Sequence, residues 1–138
     1  MKQKVCTVIG LIGGYAASLF GGWSASLGAL VTCMAIDYAT GLIVAGLFHN
    51  SPKSDGGGLE SRVGWKGLAR KFVTLMIVMV AHEMDVILGI MYIRDTVVIG
   101  FCANEVISIL ENAGLMGLPI PEALSEAIDQ LKNREGRK

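Results

Sequence analysis

The sequence predicts an all-α membrane protein of about four transmembrane helices, both termini cytoplasmic, with a short amphipathic helix at the C-terminal end. Three observations carry that expectation. Of the 138 residues, 52% are hydrophobic and only 17% charged, whereas soluble domains carry about 25% charged residues. The 44 residues from Val5 to Phe48 hold a single charge, Asp37. Finally, eleven of the twelve Lys and Arg residues fall on one side of a four-span arrangement. The length allows one unit, residues 1–138, and no second domain.

The first span is expected at about 5–21. As one helix rising about 1.5 Å per residue, Val5 to Phe48 would be roughly twice the hydrocarbon thickness, so it must fold back. The turn falls at Gly21-Gly22-Trp23-Ser24, where glycine loosens the helix and tryptophan suits the water interface. Lys2 and Lys4 before an apolar core, with Ala16-Ala17-Ser18 behind it, also fit a secretory signal. The apolar sequence continues past that site, which favours a span. The second span is expected at about 25–48.

Residues 49–71 read as a polar, glycine-rich cytoplasmic loop. Lys66, Arg70 and Lys71 at its end are expected among anionic headgroups, anchoring the next span. That third span, about 72–92, is apolar apart from His82, Glu83 and Asp85. A break at Ile93-Arg94-Asp95 leads into a fourth, about 96–118, which Pro119 and Pro121 end. The cytoplasmic tail, 119–138, places Leu124, Ile128 and Leu131 on one helical face and Glu126, Asp129 and Lys132 elsewhere, as in a helix lying on a membrane or a partner.

The basic residues set the orientation. Two precede the first span, none lies in the 21–24 turn, five lie in the 49–71 loop, one is Arg94 and four follow Leu118. The positive-inside rule therefore puts both termini and the loop in the cytoplasm. A three-span arrangement would export the basic tail or invert the rest.

Several intramembrane residues are not apolar. On a helix Asn104, Ser108 and Glu111 share a face that Glu105 and Asn112 border, making one polar stripe. A charge at the centre of a span costs about 2.5 to 3.5 kcal/mol on insertion scales, and each large aliphatic residue returns about 0.3 to 0.6. The fourth span is therefore a marginal inserter unless its stripe meets other helices, other copies or water. A buried polar network that merely holds the bundle together is the plainer reading. Asp37 raises the same question in the second span. Small residues form two ridges of period four: Gly10, Gly14, Ser18 and Gly22 in the first span, and Ala29, Cys33, Gly41 and Ala45 about Asp37 in the second. Such ridges allow close helix contact, and ordinary packing within a bundle is their plainer reading.

Other chemistries find little support. Basic residues are not clustered with interleaved aromatics, which argues against nucleic acid. His82-Glu83-Met84-Asp85 has no second histidine nearby, so neither a metal site nor a catalytic constellation is expected, and no cofactor is implied. The glycines between Asp55 and Gly67 lack the ending of a phosphate loop. Cys6, Cys33 and Cys102 each sit in an apolar run and read as packing residues.

Four blocks together resemble the phage holin family that includes holin-like toxin-secretion proteins. They are Asp37-Tyr38-Ala39-Thr40-Gly41 with Ala45; Ser61-Arg62-Val63-Gly64-Trp65-Lys66-Gly67 with Arg70-Lys71; Asp85; and Asn104-Glu105 through Ser108, Glu111-Asn112 and Gly117-Leu118-Pro119-Ile120-Pro121. The likeness runs over residues 30–132. It implies a non-enzymatic protein of the bacterial host cytoplasmic membrane whose copies assemble into lesions, depolarise the membrane and let an endolysin or toxin out, with an antiholin as a further partner. Two other classes remain open on the residues themselves. One is a small ion or proton channel or transporter using Asp37, Glu83, Asp85, Glu105 and Glu111. The other is a structural or antiholin-like membrane protein that forms no pore.

Overall fold

The computed structural model describes residues 1–135 and is all-helical: α1 Lys2–Leu19, α2 Ala25–Gly46, α3 Ser61–Leu88, α4 Ile93–Leu115 and α5 Glu122–Glu135. Helices α2, α3 and α4 form the packed body. α4 lies against both α2 and α3, while α2 and α3 touch each other much less. α1 buries no residue and meets the body only near its C-terminal end.

The 21–24 turn forms where the sequence puts it. Gly21 and Gly22 take φ of 79° and 93°, a left-handed region that favours glycine. Ser24 then caps α2, its Oγ accepting from the Leu27 amide at 3.2 Å, which satisfies one of the helix's orphan donors.

Three boundaries depart from expectation. Residues 61–71, expected as loop, are the first eleven residues of α3, leaving 47–60 as the connection. The cause is that Val63, Gly67, Lys71, Thr74, Val78, Ala81 and Asp85 repeat on one helical face and are all at least partly buried, while Arg62, Lys66 and Arg70 are exposed. Gly64 and Gly67, expected in a glycine-rich loop, instead make room on α3 for Tyr38. A Cβ at those positions would stand 3.4 and 3.8 Å from the Tyr38 side chain. The break expected at Ile93-Arg94-Asp95 is instead the first turn of α4, because Asp85 supplies its cap. Gly89, at φ 66°, ends α3, so the reversal occupies 89–92. α4 stops at Leu115, and Gly117 (φ 79°) turns the chain before the prolines.

The apolar core lies toward the 21–24 and 89–92 turns. Leu27, Leu30, Met34, Val78 and Val98 are buried there, with Phe20, Leu75, Val97, Phe101 and Cys102 packed around them. Outside it the helices bare many large apolar side chains. Val5, Ile9, Ile12 and Tyr15 on α1 and Phe72, Val73 and Val80 on α3 are more than half exposed. Exposed apolar surface on that scale marks a membrane or partner interface. Among the described residues α2 is the one helix long and apolar enough to cross a membrane on length and composition alone. α1 opens with two lysines, α3 carries four basic residues in its first eleven, and the α4 stripe dilutes its apolar content.

In α5, Leu124 is exposed and Ile128 half-buried. Leu131, Lys132 and Gly136 lie outside the described residues as far as their side chains are concerned.

Candidate functional site

A carboxylate in the middle of an apolar helix needs a cation, and the fold brings one to Asp37 from α3. Lys71 Nζ donates to Asp37 Oδ2 at 2.7 Å and to Glu105 Oε2 of α4 at 2.5 Å. The three side chains are only 11 to 15% exposed. One ammonium thus ties three helices together, and the cluster keeps one negative charge in excess.

Asn112 completes it. Buried two turns further along α4, its Nδ2 approaches Thr40 Oγ1 at 2.9 Å, Asp37 Oδ1 at 3.3 Å and the Asp37 carbonyl at 3.4 Å. Thr40 Oγ1 donates in turn to the Asp37 carbonyl at 3.0 Å. Every hydrogen bond here crosses a helix interface or braces a residue that does, as a buried polar group requires. Pairing and bonding of this quality are what repay the desolvation of buried charges.

The expected polar stripe therefore divides. Glu105 and Asn112 enter the cluster, Ser108 faces the adjoining cavity, and Asn104 is exposed. Glu111 lines the same cavity and has an interaction of its own. Lys71 is a correction. Expected among headgroups with Lys66 and Arg70, it turns inward because residues 61–71 are helical, which sets it about 100° round α3 from Arg70; Lys66 and Arg70 are exposed but line the same cavity. Thr40, noted only as part of a family-like block, has a place in the cluster that the sequence reading did not assign. A signal for Lys71 existed, since a carboxylate isolated in an apolar helix calls for a partner, but sequence offers no register to choose it from the other basic residues.

The cavity, about 470 Å³, opens between α2, α3, α4 and the 47–60 segment. The cluster forms its inner end and Ser51, Lys53 and Glu60 stand near its mouth. Two bonds close its frame: Asn50 Nδ2 donates to the Leu115 carbonyl at 3.2 Å, and Tyr38 Oη to the Gly64 carbonyl at 3.4 Å.

At the opposite end of the body, Asp85 and Arg94 do structural work. Asp85 Oδ1 and Oδ2 accept from the Ile93 and Arg94 amides at 2.9 and 3.0 Å, capping α4 from α3. Arg94 Nη1 donates to the Phe20 carbonyl at 2.8 Å and so pins the end of α1. His82 packs against Gly21, where a Cβ would collide with its ring. Glu83 is exposed. His82, Glu83 and Asp85 form no metal centre, and among the described residues no group of three such side chains could hold one.

The two small-residue ridges also diverge. In the α2 ridge, Ala45 is buried and Gly41 sits near Asn112, while Cys33 is half-buried and Ala29 exposed. In the α1 ridge nothing lies within 4 Å of a Cβ built at Gly10, Gly14 or Gly22, and Ser18 Oγ bonds only back to the Tyr15 carbonyl of its own helix.

Comparison with known proteins gives the likeness a range. The model of a family described as the bacteriophage holin family matches residues 14–133. An uncharacterized protein of Halalkalibacterium halodurans is 41% identical over 125 residues, covering 86% of this chain and 87% of its own. One of Listeria monocytogenes is 40% identical, covering 86% and 78%. An uncharacterized 14.9 kDa protein in the nagH 3′ region of Clostridium perfringens is 35% identical, covering 85% and 84%. No solved structure matches.

Proposed function

The chain belongs to the bacteriophage holin family, and from that premise we propose that it acts as a holin. It accumulates in the bacterial cytoplasmic membrane as a four-span bundle of α1 to α4, with both termini and the 47–60 segment in the cytoplasm. Copies then assemble into lesions that collapse the membrane potential and open a route for an endolysin or toxin.

The observation that carries this reading is the Asp37–Lys71–Glu105 cluster. Asp37 and Glu105 each lie twelve residues from the start of their helices, about 18 Å at 1.5 Å per residue. The hydrocarbon core is about 30 Å thick, so the cluster falls near its middle. There the bundle is held by polar bonds and a thin apolar core, since only eight hydrophobic residues are buried among those described. Helices joined in this way lose little by exchanging their contacts for equivalent ones with other copies around water. α1, with its open glycine ridge, is the element free to meet another copy first. An antiholin of similar chemistry would compete for the same surfaces.

Induced expression in bacteria, following membrane potential and viability, tests the proposal. Abrupt depolarisation and death after a delay is the expected result. Graded, reversible conductance without death would identify a channel or transporter instead, and no conductance at all a structural or antiholin-like role.

A further inference from the structure

The cavity and the core divide the three-helix body into two unlike halves. α2 and α3 make few contacts with each other, and on the side of the 47–60 segment the helices leave the space of about 470 Å³. Its inner end carries two carboxylates, an ammonium and the Ser108 hydroxyl. One helical turn beyond the cluster on each helix the cavity has ended and the packing is apolar: Met34 on α2, Leu75 on α3, Phe101 and Cys102 on α4. From Met34 to Leu27 the closed core runs seven residues, about 10 Å, and Leu30, Val78 and Val98 within it have no exposed surface.

We infer that each chain carries a water-filled vestibule, open on the 47–60 side, that ends at the Asp37–Lys71–Glu105 cluster and is stopped from the other side by the Leu30–Val78–Val98 core. It takes water and the small hydrophilic ions dissolved in it. The argument is one of solvation. A lipid chain in this space would lie against an ammonium and two carboxylates, a polar contact that hydrocarbon cannot satisfy. Water needs a roomy site with several polar partners, and both are present. At about 30 Å³ per molecule in the liquid, the space holds roughly fifteen waters. The single cluster thereby lies within reach of the cytoplasm and is insulated from the exterior, before any assembly of copies.

The orientation rests on the four-span reading, and the experiment separates the two. Cys6, Cys33 and Cys102 are replaced by alanine, single cysteines are introduced, and inverted and right-side-out membrane vesicles are prepared at expression levels below lysis. The probe is a membrane-impermeant trimethylammonium methanethiosulfonate, read as loss of the free thiol. Ser108→Cys is expected to react in inverted vesicles and not in right-side-out ones, and Leu30→Cys in neither. Ala45→Cys, on the same cavity wall, repeats the test if Ser108→Cys does not accumulate. Asp55→Cys, on the exposed connection, reports orientation. Asp55→Cys reacting in inverted vesicles while Ser108→Cys and Ala45→Cys stay inert in both overturns the vestibule and leaves the topology standing. Reaction of Ser108→Cys from both faces overturns the stopper. Asp55→Cys reacting only in right-side-out vesicles overturns the orientation and the inference with it.

Discussion

Lys71 and Asp37 are separated by thirty-four residues of sequence and by 2.7 Å in space, with Lys71 also bound to Glu105 on α4. Removing the shared cation strands two carboxylates. Lys71→Met is therefore expected to destabilise the bundle by about 3 to 5 kcal/mol, the usual cost of leaving a buried charge unpaired. The neutral set Lys71→Met, Asp37→Asn and Glu105→Gln should recover most of that loss. Thermal unfolding in detergent measures both, and a triple variant no better than Lys71→Met alone would show that packing at the site matters more than charge.

The two glutamates of the α4 stripe are expected to respond together to change in polarity. Glu105→Leu with Glu111→Leu should insert well and fail to lyse, because it removes two carboxylates from the cavity wall and lowers the drive to assemble around water. Glu105→Gln with Glu111→Gln keeps hydrogen-bonding capacity and should lyse on an altered schedule. Lysis curves after induction decide this, and normal timing in the double leucine variant removes the stripe from any role in assembly.

The ridges give unequal outcomes. Gly14→Leu meets nothing within its own chain, so it should leave the fold intact and delay or abolish lysis if α1 pairs with another copy. Gly41→Leu instead crowds Asn112, since even a Cβ there stands 3.8 Å from Asn112 Nδ2, and should lower stability before it affects timing. Comparing unfolding temperature with lysis onset separates contact between copies from packing within one.

Asp85→Ala strips the cap from two amides of α4. A lost cap costs about 0.5 to 2 kcal/mol, and Asp85→Asn, which keeps one good acceptor, should cost less. Both are read as shifts in unfolding temperature. An unshifted Asp85→Ala would mean that other groups satisfy those amides.

Topology is checked by cysteine labelling in intact cells. Lys4→Cys and Asp55→Cys are expected to be protected, and Trp23→Cys to react from outside. Arg94 holds the Phe20 carbonyl, so the two turns lie at one end of the body and must share a side. Protection of Trp23→Cys would invert or remove the first hairpin.

Composition and pattern settled the broad features. The scarcity of charge, the apolar runs and the Gly21-Gly22-Trp23-Ser24 reversal determine a helical, membrane-directed chain, because hydrophobicity and glycine's backbone freedom act locally and can be read residue by residue. The family-like blocks and the presence of unusual polar residues in apolar surroundings were equally legible. What the polar residues do was decided by tertiary structure. Asp85 and Asp37 look alike in sequence, each an acid amid aliphatics, yet one caps a neighbouring helix and the other anchors an ion cluster. Lys71 looks like one more basic residue beside Arg70, yet a single step of about 100° around α3 turns it from the exposed face to the interior. The start of α3 at Ser61 and of α4 at Ile93 were hidden for the same reason. Each depends on a contact across helices, Tyr38 against Gly64 and Asp85 against the Ile93 amide, and the energy of such contacts resides in register between segments, which no local pattern encodes.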